Sequence, residues 1–226
     1  MWTIDFITEE DFRNHVKETL LKYLEALRPF DLKRFNKNII DPVKLLFDRT
    51  VEQTSWQDII QNEIFRQRDK TNTNYIGYFH QYLFKYIKDC TVPTAGWDVI
   101  YEPENGYITP DGERVSRIYV ELKNKHNTMN SSSTADTYHE MENQILADDC
   151  VCFVVQVIAK QSQNIKWTPK IDNRRKSHKR MRLVSIDQFL AIVTGEDDAF
   201  YQICKALPPV LTTVFEELDR AVQPDD

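Results

Sequence analysis

Glu121 and Lys123 stand two residues apart in a stretch, Arg117–Lys123, where Ile118, Val120 and Leu122 alternate with Tyr119, Glu121 and Lys123. A period of two is the signature of a half-buried strand, and it puts the carboxylate and the ammonium on one face, one pleat apart. Asp98 opens an earlier short strand, Trp97–Tyr101. A hairpin centred near residues 109 and 110 would set Asp98 opposite Glu121. Two carboxylates converging on one point suit a hard cation such as Mg²⁺, which takes few protein oxygens and keeps several waters. Such a cation polarises a phosphodiester and acidifies an attacking water. A lysine beside it can orient that water and offset charge in the transition state. An acid-x-Lys triplet alone is common by chance: Asp31-Leu32-Lys33 is another instance, in a connection between helices with no neighbouring strand. The competing reading is an exposed strand carrying a surface ion pair.

Two further stretches bear on the choice. Asn124–Ser133 is amide, hydroxyl, lysine and histidine with one Met and no acid, a composition for hydrogen bonding rather than packing. Lys166–Arg182 holds eight Lys or Arg and one acid, Asp172, for a local charge of +7 in a chain whose net charge is −6. A concentrated basic segment on an acidic body is the footprint of a phosphate-binding face; the alternative is a solvated loop.

The elements that would position these groups follow in order. Thr8 with Glu9, Glu10 and Asp11 predicts a helix start, with Phe12, Val16, Leu20, Leu24 and Leu27 as its apolar stripe and Pro29 as its end. Asp41-Pro42 predicts a second helix. Ser55-x-x-Asp58 predicts a third, with Ile59, Ile60 and Ile64 inward. Asn74–Lys88 reads as a fourth, on which His80 is a packing residue. After the hairpin, Ser132–Asp136 begins a helix with Tyr138, Met141, Ile145 and Leu146 inward. Val151–Ala159 is nearly unbroken apolar, as in a central strand covered on both faces. Leu183–Ile186 is a strand, and Asp187–Val193 a helix ended by Gly195. Asp197–Ala206 and Pro208–Arg220 read as two closing helices, with Gln223–Asp226 as a tail. The fold class is α/β of an α+β-like kind: a mixed β-sheet flanked by helices, behind an N-terminal helical layer.

The whole chain sets bounds on this. Its 226 residues suffice for one large domain, and five glycines argue against a loop-rich all-β design. No run of about 18 apolar residues predicts a membrane span. The N-terminus has neither the basic nor the apolar part of a signal peptide, so a cytoplasmic protein is expected. The four cysteines lack the clustering of a zinc site and read as buried free thiols.

Asp98, then Glu121-Leu122-Lys123 on the next strand, then a helix and an apolar strand resembles the PD-(D/E)XK nuclease core. The chain departs from that pattern at Gly96-Trp97-Asp98, where a proline often precedes the aspartate. Four segments are similar to type II restriction endonucleases that read GGNCC or GGWCC sites: Asn62–Gln67, Asn74–Gln81, Gly96–Val99 and Glu121–Asn130. The resemblance runs from the third helix to about Gly195. It implies Mg²⁺-dependent cleavage of double-stranded DNA by a homodimer in the bacterial cytoplasm, with one active site per strand. It also implies a single nuclease domain, 1–226, made of a helical layer (1–90), a catalytic core (91–195) and C-terminal helices (196–226). Asp98 and Glu121 would be metal ligands, and Lys123 the water-orienting group. Glu63 would add a metal ligand or order a metal-bound water. Asn124, Lys125, His126, Asn127, Thr128, Asn130 and Ser131 become candidates for reading bases in the major groove, since amides pair with adenine and cations with guanine. Arg174, Arg175, Lys176, Lys179, Arg180 and Arg182 become phosphate or guanine contacts. Two other readings remain: a structure-specific repair or recombination nuclease on the same core, and a non-catalytic DNA-binding protein using the basic segment alone.

Overall fold

The computed structural model describes residues 2–27 and 32–222. Pro29, Asp31 of the second acid-x-Lys triplet, and the terminal Gln223–Asp226 lie outside the described residues. In chain order the elements are α1 (Glu9–Leu27), α2 (Leu32–Lys37), α3 (Pro42–Glu52), α4 (Trp56–Leu83), β1 (Cys90–Thr91), β2 (Val99–Tyr101), β3 (Tyr107–Ile108), β4 (Arg114–Val115) and β5 (Arg117–Lys125). Then come α5 (Ser131–Ala147), β6 (Cys150–Ile158), β7 (Asn164–Lys166), β8 (Lys170–Ile171), β9 (Arg174–Arg175), β10 (Met181–Ser185), α6 (Ile186–Thr194) and α7 (Ala199–Val222). The chain forms two compact units, Met1–Val16 with Phe79–Asp226, and Lys17–Tyr78. No helix among the described residues is long and apolar enough to cross a membrane.

The first unit is built on a six-stranded mixed sheet in the order β1-β2-β5-β6-β10-β7. β5, β6 and β10 run parallel at its centre, and β2 and β7 are antiparallel to their neighbours. Central parallel strands must be covered on both faces, and β6 is: every residue from Cys150 to Gln156 is buried. One face packs Cys150, Cys152, Val154 and Met181 against Tyr138 and Met141 of α5, with Trp97, Trp167 and Ile171 closing the cluster. The other face sets Phe153 against Phe189 of α6, ring centroids 6.2 Å apart, and Phe189 against Phe84 at 5.0 Å. Phe153 and Phe84 are fully buried, so truncating either to Ala would cost about 3–5 kcal/mol.

Local signals account for most of the element ends. Thr8 Oγ1 accepts from the Asp11 N–H at 3.0 Å and Asp41 Oδ1 from the Val43 N–H at 2.9 Å. Ser55 and Asp58 form the predicted reciprocal cap. Gly195 ends α6 at φ 78, where a left-handed residue is needed.

Four expectations differ. The predicted third and fourth helices are one 28-residue helix, α4. The segment between them is polar but holds no proline, and Thr71 folds its hydroxyl back onto the Gln67 carbonyl instead of breaking the turn. The two predicted closing helices are likewise one, α7, which passes through Pro208 and Pro209. Leu146 and Ile60, expected inward, are 86% and 46% exposed. Of the cysteines, Cys150 and Cys152 are buried free thiols, but Cys90 is only partly buried and Cys204 is exposed.

Candidate active site

The hairpin register is the one the sequence predicts: Val99 pairs with Val120, Ile100 with Tyr119 and Tyr101 with Ile118. The ladder continues one step further, because the Asp98 N–H donates to the Val120 carbonyl at 3.0 Å. Asp98 therefore lies across from Glu121. Its Oδ2 accepts the backbone N–H of Leu122 at 2.7 Å, and the Gln81 amide donates to its carbonyl at 3.3 Å. Gly96, at φ 86, turns the chain into this position with a conformation that a side chain would strain. Trp97 then anchors the turn, its indole N–H donating to Gln144 of α5 at 3.1 Å.

Glu121 and Lys123 share the face of β5 that carries α5. Tyr119 pairs with Cys152, Glu121 with Val154 and Lys123 with Gln156, and register partners project to the same side. Lys123 Nζ lies 2.5 Å from Glu121 Oε1, with the two side chains 24% and 21% exposed. Burial pushes the Asp98 carboxyl up to about 6, against the Leu122 N–H that favours its charged form. Glu121 and Glu140 push it further up, and Lys123 pulls it down. Glu140, on α5, was not singled out from the sequence, because nothing local marks a helical glutamate as facing a strand carboxylate forty residues away.

The donor set suits a hard cation. Among the described residues, Asp98 Oδ1 and Glu121 Oε2 have no protein donor, while the other oxygen of each is held in place. No group of three or more His, Cys, Asp or Glu that could hold a metal occurs among the described residues. Two carboxylate oxygens with open coordination positions match an ion that keeps its waters.

The polar segment divides. Asn124 and Lys125 still belong to β5, and Asn124 is partly buried. Lys125, His126, Asn127 and Thr128 are exposed, and the Thr128 hydroxyl closes their turn on the Lys125 carbonyl at 3.0 Å. Asn130 is the N-cap of α5: its Oδ1 accepts the Ser133 N–H at 2.9 Å. The predicted cap at Ser132 thus moves two residues earlier. Ser131 and Ser132, with Ala135, form one wall of a cleft of about 490 Å³; Lys170, Ile171, Asp172 and Asn173 form the other.

That second wall comes from the basic segment, which is not a plain loop. Lys170 pairs with Arg175 and Ile171 with Arg174 in a two-residue hairpin. Asp172 and Asn173 turn it at φ 49 and 62, the type I′ geometry such hairpins need. Arg174 and Arg175 are exposed and have no ion pair among the described residues. Lys176 Nζ sits 5.5 Å from the centre of the Tyr138 ring. Lys179 and Arg180 are both bound to Glu113, and Arg180 also to Asp149 at 3.1 Å. Arg182 is a correction: it is 4% exposed, on the opposite face of the sheet, and its guanidinium donates to Asn164 Oδ1 and to the Asn164 carbonyl at 2.5 and 2.7 Å. Strand alternation buries it, and its donors are spent on Asn164.

Glu63 belongs to the other unit. It is 5% exposed, and both its oxygens are taken: Oε2 by Arg66 Nε at 2.6 Å, and Oε1 by Arg66 Nη2 and Gln67 Nε2 at 2.5 and 2.9 Å. The Arg66 fork holds its carboxyl below the usual range. Both oxygens of the expected metal ligand are thus engaged by side chains of its own helix. His80 is desolvated, its pKa lowered to about 4 by burial and then by His15, in keeping with a packing role.

The family model for the Eco47II restriction endonuclease matches residues 4–216. The chain belongs to that family. Among its relatives is the type II restriction enzyme Sau96I of Staphylococcus aureus, 33% identical over 217 residues, which span 92% of this chain and 79% of the relative. Another is the type II restriction enzyme Eco47II of Escherichia coli, 28% identical over 227 residues, spanning 96% of this chain and 90% of the relative. The matched residues include Asp98, Glu121 and Lys123 and the elements around them, β2, β5, α5 and β6. The restriction-endonuclease resemblance read from the sequence therefore holds, and the chain is an enzyme of the type II restriction class.

Proposed function

We propose that this chain cleaves double-stranded DNA at a short palindromic site of the GGNCC or GGWCC kind, as a Mg²⁺-dependent homodimer in the bacterial cytoplasm, with the cutting centre at Asp98, Glu121 and Lys123. The observation that carries this reading is the meeting of Asp98 Oδ2 with the Leu122 N–H, which brings one acid to the strand position between the other acid and the lysine. Asp98 Oδ1 and Glu121 Oε2 would hold the cation, which when bound supplies Lewis acidity and a more acidic water. Lys123 would hold that water in line with the phosphorus and offset charge on the phosphate oxygens. The turn Lys125–Thr128 and the hairpin arginines Arg174 and Arg175 would read bases and grip phosphates.

The test is a digest of DNA of known sequence with the fragment ends mapped, together with light scattering of the free protein. Discrete fragments ending at GGNCC or GGWCC sites, no cutting with chelator, and a mass of two chains are expected. Smeared degradation, or a preference for branched over linear duplex, would overturn the assignment of site-specific cleavage.

A further inference from the structure

The charges of the basic segment divide by partner. Lys166 and Arg182 are met by Asp111 at 3.5 and 3.6 Å, and Lys179 and Arg180 by Glu113, with Arg180 also on Asp149. Each of those acids comes from elsewhere in the chain. The segment's own acid, Asp172, makes no ion pair or side-chain hydrogen bond with any described residue, and neither do Lys170, Arg174 and Arg175. All four of these charges sit on the β8–β9 hairpin. Its base is fixed: Ile171 is 2% exposed, in the cluster that holds Trp97, Tyr138, Cys152 and Val154, and the Lys176 N–H donates to the Pro169 carbonyl at 3.0 Å. Beyond that anchor, Asp172, Asn173, Arg174 and Arg175 are consecutive exposed residues.

The turn accounts for part of this. Positions at φ 49 and 62 favour Asp or Asn, but asparagine or glycine would serve at 172 without a negative charge. On a surface that only grips phosphates, an unpaired carboxylate repels the ligand. It suits a surface that meets donors as well as acceptors. The major groove is such a surface: each G·C pair shows acceptors on guanine, which suit arginine, and an amino donor on cytosine, which suits Asp. The dimensions agree, since paired strands lie about 5 Å apart and a groove about 12 Å wide admits a two-stranded ribbon.

Resting on the reading of the chain as a nuclease for a G/C-flanked duplex site, we propose that the β8–β9 hairpin enters the major groove and that Asp172 is a specificity-determining residue, its carboxylate accepting the amino group of one cytosine of the site. The arginines beside it supply forks for guanine or for the adjoining phosphates. Thymine in place of that cytosine would set O4, an acceptor, against the carboxylate, so the contact selects by repulsion as well as by attraction. The anchored base of the hairpin holds the acid in place before DNA arrives.

The probe is a duplex carrying a cleaved GGNCC or GGWCC site in which each cytosine in turn is replaced by 2-pyrimidinone, which lacks the amino group. Single-turnover cleavage is measured for wild type, Asp172→Gly and Asp172→Asn, with affinity for unrelated duplex and the Tm of the metal-free protein alongside. Glycine keeps the left-handed turn and removes the side chain; asparagine keeps the turn and one acceptor oxygen. At one cytosine position the analogue should slow wild type about 10–100-fold more than it slows Asp172→Gly, the discrimination expected of one good base contact. On the natural site Asp172→Gly should be slower by a similar factor, and Asp172→Asn should recover part of the loss. Affinity of the glycine variant for unrelated duplex should hold or rise, since a negative charge has gone, and its Tm should stay within about 2 °C of wild type. Equal effects of the analogue on wild type and Asp172→Gly at every cytosine overturn the proposal. So does a joint fall of Tm and of affinity for unrelated duplex in both variants, which would make Asp172 a residue of the turn alone. If wild type cuts no G/C-flanked site, the reading of the chain's specificity fails, and this inference with it.

Discussion

The backbone N–H of Leu122 donates to Asp98 Oδ2 at 2.7 Å. The residue between Glu121 and Lys123 in sequence thus holds the third member of the trio in space. The bond fixes one carboxylate oxygen and leaves the other turned away from protein donors. It also means that any shift of β5 moves all three groups together.

Asp98 is destabilising in its charged form. Its folded pKa of about 6 lies above the unfolded value of 3.8, with burial as the largest cause. The folded state therefore binds the extra proton between those values. The contribution to stability is present below about pH 4 and is lost as pH rises through about 6. Asp98→Asn, which keeps an acceptor for Leu122, should abolish cleavage yet raise the metal-free Tm at pH 8 by about 2–4 °C, as expected for about 1 kcal/mol in a chain of this length. The gain should shrink toward zero at pH 4. Melting curves at the two pH values decide it, and a lower Tm at pH 8 would contradict the sign.

Glu121→Ala and Lys123→Ala should each slow cleavage by about 10²–10⁴-fold while leaving DNA affinity within a few-fold. The pair is only about a quarter exposed, but it is a short ion pair whose loss exposes no core. Tm should accordingly change by no more than a few degrees. Cleavage by Lys123→Ala at the wild-type rate would remove the lysine from the centre.

How far the sequence reached can be judged element by element. The trio was legible because a hairpin has one simple geometry: once Glu121 and Lys123 were placed on a strand and the turn near residue 110, the partner of Asp98 followed by counting. The fused helices were not legible. A polar stretch such as Arg66–Asn74 is equally compatible with a loop and with a long exposed helix, and Pro208-Pro209 is normally a stop. Arg182 was misjudged for a related reason. In a run of eight cations the charge pattern hides the two-residue alternation, and only the strand register with β6 and β7 shows that Arg182 faces inward.

The basic segment separates into cations that can meet DNA and cations already spent. Arg174→Ala and Arg175→Ala should each weaken binding and lower the slope of log affinity against log salt by about 1. Lys179→Ala should change affinity much less, because its ammonium is held by Glu113. Arg182→Ala should leave the salt slope alone and instead cost about 3 kcal/mol or more in stability, since it strips a buried guanidinium from Asn164. Titrations at three salt concentrations with a parallel melt distinguish the four variants. A reduced salt slope in Arg182→Ala with unchanged Tm would reverse its placement.

Asn127 and Asn130 lie three residues apart in the same polar turn but are held differently. Asn127 is exposed at the turn, whereas Asn130 spends Oδ1 on the Ser133 N–H and caps α5. Asn130→Ala should therefore cost about 1 kcal/mol of stability, and Asn130→Asp, which caps as well, should restore it. Asn127→Ala should leave Tm unchanged. The turn leaves β5 two residues after Lys123, so a base contact made there is transmitted through a short, hydrogen-bonded stretch of strand to the lysine. Asn127→Ala should then lower the cleavage rate on the cognate site by more than it weakens binding to it. Equal losses in rate and affinity would reduce the turn to a source of binding energy, without a hand in setting the position of the catalytic lysine.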